Sequence, residues 1–210
     1  VVLHPEAAMV KIHADTAIYT PHVYQNLPDL QAFPYPFVGD SATTPPTTII
    51  LPDALNSNDL SLALSLAAAL GRYSPRDLTV RLRTAAQTSA ASDADANLIV
   101  LGEQARQPRA DEFMSAMGAL PGYPDDGVYK ALPTLDAGLL REGASPWNAE
   151  RVALVVTGLA EGGVRTGGDA LLAAAPPVRD PGSAAIVERD TLSGGPLTRI
   201  LYRAVPPQGV

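Results

Sequence analysis

No cysteine occurs among the 210 residues. That absence excludes disulfides, Cys-ligated zinc, iron–sulfur clusters and a thiol nucleophile together. It fits an exported protein without requiring export. Histidine is scarce too: His4, His13 and His22 are the three in the chain, and their equal spacing of nine residues is not a metal-ligand pattern. Lysine is confined to Lys11 and Lys130, against 13 arginines. Basic residues number 15 and acidic residues 22, for a net charge of −7. Nucleic acid or an anionic membrane surface is therefore a poor main partner, because both select a basic patch. No apolar run reaches the ~18 residues of a membrane span, and no signal peptide is present. The first residue is Val1, not Met, so the chain reads as an excised piece of a longer protein.

What is plentiful is apolar content, proline and glycine. Hydrophobic residues make up 46% and charged residues 18%, enough for a full core in one large domain, or one domain plus a remnant. The 20 prolines and 17 glycines are dispersed between periodic segments, which marks turns and not disorder.

The stretch from Thr47 to Gly71, TTIILPDALNSNDLSLALSLAAALG, organises the rest. Thr48–Leu51 is short, apolar and rich in β-branching, so it reads as a buried strand ended by Pro52. Asn56 to Asp59 supply side-chain oxygens for the free amides of a helix start. Leu60, Ala63, Leu64, Ala67 and Ala68 share one face, widened by Leu62, Leu66 and Ala69. Leu64 is expected to be buried, and Gly71 to close the helix.

Further along, Asp77–Arg83 alternates strictly, as a half-buried edge strand does. Residues 97–101 and 152–156 are continuous apolar runs, as in strands covered on both faces, and Val155 is expected in the core. Asp111–Leu120 reads as a short helix and Gly138–Ala144 as an extra strand leading to Trp147. Gly162–Ala175 reads as a helix weakened by its glycines, and residues 183–188 and 197–204 as closing strands. The link from Arg83 to Leu98 lacks large apolar residues, so a crossover helix there is missing or degenerate, with antiparallel placement of the second strand as the alternative. The fold class is α/β: a flavodoxin-like, doubly wound, mostly parallel sheet of order 2-1-3-4-5. Val10, Ile12 and Ala14 alternate with polar residues as an N-terminal strand left from a preceding β module. Residues 19–37 hold five of the eleven aromatics and four prolines, and read as an extended linker packed across the following domain.

In such folds ligands sit beyond the carboxyl ends of the strands. Asp53, Glu103 and Glu161 fall there as candidate crevice acids, but no lysine accompanies them as a phospho-receiver site would need. Glu161 and Pro52 occupy the loops that would cradle phosphate, which argues against a flavin or dinucleotide. No GxSxG elbow exists, and Asp125-Asp126 read as part of a turn. Trp147, Tyr123 and Tyr129 are candidates for a sugar-ring platform, with packing the better reading. No catalytic, cofactor-binding or metal residue emerges.

Four segments together, the LQAFPYPF stretch (Leu30–Phe37), the TTIILPDALNSNDLSLALSLAAALG unit, ANLIVLG and SPWNAERVALVVTGLAEGGV, resemble the BcsB family of bacterial cellulose synthase components. The resemblance covers about residues 30–175. It implies a preceding jelly-roll-like module ending near residue 29, and a flavodoxin-like domain over residues 30–210. It also implies an exported, non-catalytic scaffold or regulatory component, periplasmic or otherwise extracytoplasmic, anchored through segments absent from this chain. Its partners would be the membrane glycosyltransferase of the synthase and the nascent polysaccharide, with no cofactor. Phe33, Tyr35 and Phe37 would then pack between modules. A carbohydrate-binding module, and a nucleotide- or flavin-binding α/β enzyme, are the alternatives.

Overall fold

Two short aliphatic strands form the middle of the sheet. The structure, a computed structural model, describes residues 29–39, 44–74, 77–118, 132–173, 183–189 and 196–202, the last of these as backbone only. Strands β1 (Thr47–Leu51) and β3 (Asn97–Leu101) pair in parallel and are buried along their whole length, as strands with helices on both faces must be. Strand β2 (Val80–Thr84) lies parallel to β1 at the edge and is largely half-buried, so the antiparallel alternative does not hold. Strand β5 (Asn148–Gly158) runs parallel to β3 on its other side.

Beyond β5 the sheet changes direction. Strand β4 (Gly138–Ser145) is antiparallel to β5, β6 (Ala184–Arg189) to β4, and β7 (Pro196–Tyr202) to β6. The order is β2-β1-β3-β5-β4-β6-β7. Three of the six neighbouring pairs are antiparallel, so the sheet is mixed, where a mostly parallel one was expected. The cause is local: only Pro146 and Trp147 separate β4 from β5, and a two-residue link joins antiparallel neighbours, never parallel ones.

Helix α1 (Ser57–Tyr73) opens with a reciprocal cap. The Asp59 amide donates to Asn56 Oδ1 at 2.7 Å, and the Asn56 amide to Asp59 Oδ2 at 3.2 Å. Its buried arc is Leu62, Ala63, Leu66, Ala69 and Leu70. Leu64 is 54% exposed and Leu60 43%, contrary to the expected face, because the sheet covers one arc of a helix whose leucines point all round. The helix also runs past Gly71 to Tyr73. The link from β2 to β3 holds only a 3-10 turn (Ala85–Gln87) and the one-turn helix α2 (Ala90–Asp93), as its lack of large apolar residues implied. Buried Asp93 organises it, accepting from Ser92 Oγ at 2.6 Å and Thr48 Oγ1 at 3.3 Å. Helix α3 (Pro108–Ala116) begins earlier than Asp111, with Pro at its first position.

Helix α4 (Glu161–Leu172) packs beside α1, and both share an apolar layer with one face of the sheet. α3 covers the opposite face through Phe113 and Met114; Val155 is fully buried in that layer. The glycines that weaken α4 as an isolated helix set its distance from the sheet. A methyl placed on Gly138 would lie 2.6 Å from Gly163 O and from Gly167 N, so helix and strand meet backbone to backbone.

Residues 29–38 are a strap and not an extended linker. A 3-10 turn (Leu30–Ala32) leads into two further turns, closed by Tyr35 N–H to Ala32 O and Phe37 N–H to Pro34 O, each at 2.9 Å. The Phe33–Pro34 and Tyr35–Pro36 bonds, both cis, sit inside those turns, which is why the prolines coil the chain here. Leu30, Phe37 and Val38 are buried in the α1/α4 layer and Phe33 packs against it, with the Phe33 and Phe37 ring centroids 6.0 Å apart. Tyr35 points outward, 38% exposed. The strap is pinned at the foot of the sheet, where Asn97 Nδ2 donates to Pro36 O at 3.0 Å and Thr47 Oγ1 to Phe37 O at 3.2 Å. The N-terminal strand expected around residues 10–14 lies outside the described residues.

Candidate functional site

The chain leaves β1 toward one edge of the sheet and returns to β3 on the other side, so the switch point is the cleft between the carboxyl ends of β1 and β3. Gln107 fills it. Its side chain is fully buried, and Nε2 donates to Ile50 O at 3.2 Å and Leu101 O at 2.9 Å, the last carbonyls on either side. Oε1 accepts from Arg109 N–H at 3.3 Å and so caps α3. Gly102 takes a positive φ of 144° against this plug; a methyl there would meet Pro52 Cγ at 2.7 Å and Gln107 Cβ at 2.9 Å.

Arg106 braces the loops around the plug. It donates to Asp59 Oδ2 at 2.7 Å, to Glu103 Oε1 at 2.9 Å and to the Ala54 carbonyl. These partners, Glu103 first and Asp59 next, raise the guanidinium above its ordinary value. The candidate acids are thus already engaged. Glu103 pairs with Arg106, and Asp53 accepts from the Ala86 amide at 2.7 Å, tying the first loop to the turn after β2. Glu161 accepts from Asn56 Nδ2 at 3.2 Å and from Asn58 Nδ2, joining the N-terminal ends of α1 and α4. Only Glu161 of the three lines the open groove between those helices. That groove has Leu62, Leu101 and Val164 at its base and Ser65 and Asp169 at its rim. Among the described residues, no three acidic or histidine side chains converge as a metal site would require.

Trp147 stands in the β4–β5 turn with its ring edge-on to Phe113, centroids 5.0 Å apart at 85°. The Arg109 guanidinium sits 5.3 Å from its centroid, and the indole N–H donates to Glu112 Oε1 at 3.2 Å. It braces the hairpin against α3. Tyr123 and Tyr129 lie outside the described residues, as do His4, His13 and His22.

Two ionisable residues on β4 escaped the reading of the sequence. Arg141 is buried and donates to the carbonyls of Met114 (3.1 Å), Met117 (2.9 Å) and Gly118 (2.6 Å), closing the C-terminal end of α3. Glu142 is 4% exposed on the other face. Burial first, and the charge of Asp29 next, push its carboxyl up to about 8, against the pull of the Asp29 main-chain N–H. The available signal was an Arg-Glu pair inside an otherwise apolar strand. Gln107 was legible only as the residue before Pro108.

A family model described as cellulose synthase BcsB, second FD domain, matches residues 23–134, just over half of the chain. No curated protein matches the sequence. The matched span takes in the strap, the β1–α1 unit, the degenerate link, and the Gln107 plug with α3, and on this ground the chain belongs to the cellulose synthase BcsB family.

Proposed function

We propose that this chain is a non-catalytic scaffold module of an exported BcsB component of a cellulose synthase. It works outside the cytoplasm beside the membrane glycosyltransferase and supports synthesis and passage of the nascent polysaccharide. The observation that carries the reading is the switch point itself, whose space Gln107 occupies while Arg106 locks the loops around it. A ligand there would have to displace a buried side chain bonded to both strand ends. The parallel half, β2-β1-β3-β5, is the part that a flavodoxin-like description fits. In this proposal the domain begins at residue 30, the preceding module ends near residue 29, and the strap sets the angle between them. Among the described residues, no helix is long and apolar enough to cross a membrane.

The test uses the intact synthase complex. Replacing Asp53, Glu103 and Glu161 by their amides is expected to leave polysaccharide synthesis within about twofold of wild type, since each acid serves a local contact worth about 1 kcal/mol. Phe33→Ala with Phe37→Ala is expected to lower synthesis, because the strap loses its buried rings. The opposite pattern, a dead triple-amide variant of unchanged fold beside an active aromatic variant, would overturn the scaffold reading. FMN is likewise expected to leave the melting temperature unchanged, whereas a site at 100 times its Kd would add about 2.7 kcal/mol.

A further inference from the structure

Arg141 and Glu142 are adjacent on β4 and point to opposite faces, with unlike surroundings. Arg141 has three helix-end carbonyls as acceptors. Glu142 faces the apolar layer of α1 and α4. It stands in register with Leu154 and two residues from Leu140, both fully buried in that layer. The strap covers it: Leu30 is buried in the same layer, and the Asp29 main-chain N–H is hydrogen-bonded to the Glu142 carboxyl. β5 and β6 offer that face only apolar side chains, Leu154 and Ala185 among them. The charged group that bears on Glu142 from the strap is Asp29, which is also negative. Arg165 on α4 and Arg189 on β6 are engaged with Asp169. An ionised carboxylate beneath the strap has lost its water and, among the described residues, has gained no cation, the arrangement that charged groups avoid most strongly.

We propose that Glu142 is a protonation latch for the strap: residues 29–38 close over the sheet while the carboxyl is neutral, and loosen when it ionises. The docking of the chain as it enters the domain is then firmer in acid than in alkali. The direction follows from the proton balance. Covered, the group sits at about 8; released into water it returns to its ordinary 4.5. Between those values the open state sheds a proton that the closed state keeps, so each added pH unit favours opening by up to tenfold. Above about 8 both states are ionised and the effect levels off. The latch is independent of the scaffold reading, since it concerns the strap and not the crevice.

The experiment is hydrogen exchange on the 210-residue chain from pH 5 to pH 9, corrected for intrinsic rates. Protection of the Tyr35, Phe37 and Val38 amides, all bonded within the strap, is expected to fall several-fold to tenfold per pH unit up to about pH 8. Protection of Ile99 and Val100 in the central strand should change far less. In Glu142→Gln, which cannot ionise, strap protection should be flat with pH. Protection that is flat in the wild type, or that falls equally in Glu142→Gln, overturns the latch. Should that variant fail to fold, the wild type suffices. The 13C shift of the Glu142 carboxyl must then titrate between about pH 7 and 9 in step with strap protection; a midpoint near the ordinary glutamate value, or a titration without loss of protection, refutes it.

Discussion

Gln107→Leu is the sharpest perturbation of the crevice, because leucine approximates the volume of glutamine and keeps none of its hydrogen bonds. Three bonds are lost: to Ile50 O at 3.2 Å, to Leu101 O at 2.9 Å and from Arg109 N–H at 3.3 Å. Each buried polar group left without a partner costs about 1–3 kcal/mol, so three give roughly 3–6 kcal/mol when partial relaxation is allowed. The apolar gain of the leucine offsets about 1.5–3 kcal/mol of that, leaving a net loss of about 2–4 kcal/mol. Gln107→Ala removes the same bonds but leaves space beside two carbonyls, where a water can donate to both. Its loss should be smaller, about 1–2 kcal/mol. A residue held only for packing predicts the reverse order, since alanine leaves the larger cavity. Urea unfolding followed by circular dichroism, with a common m-value, measures both variants. A Leu variant within about 0.5 kcal/mol of wild type, or an Ala variant less stable than the Leu variant, would refute the plug.

Two further predictions use the same assay. Leu66→Ala is expected to cost about 2–5 kcal/mol because Leu66 is fully buried, whereas Leu64→Ala, at a position 54% exposed, should stay within about 0.5–1 kcal/mol; equal losses would mean that the buried arc of α1 is misassigned. Gly138→Ala should cost more than about 2 kcal/mol, since its methyl would lie 2.6 Å from the α4 backbone, while Gly71→Ala, with nothing within 4 Å of the new methyl, should stabilise α1 by about 0.5–1 kcal/mol.

The sequence by itself determined the elements whose causes are local. TTIIL and NLIVL are apolar on both faces and so had to be interior strands. The Asn56–Asp59 cap follows from side chains three residues apart, and the degenerate link after β2 from its want of large apolar residues. The candidate acids could be placed at the strand ends but not assigned a task, because their partners, Ala86, Arg106 and Asn56, come from other loops. Only the tertiary structure decided which way the leucines of α1 face, since a helix apolar all round carries no information about its covered arc. The antiparallel half of the sheet rests on a two-residue turn whose strands had to be seen paired. Close packing, likewise, gave the α4 glycines their purpose. Gln107 and Glu142 became legible last. A buried polar group is defined by what surrounds it, and that surrounding is assembled from strands, strap and helix far apart in the chain.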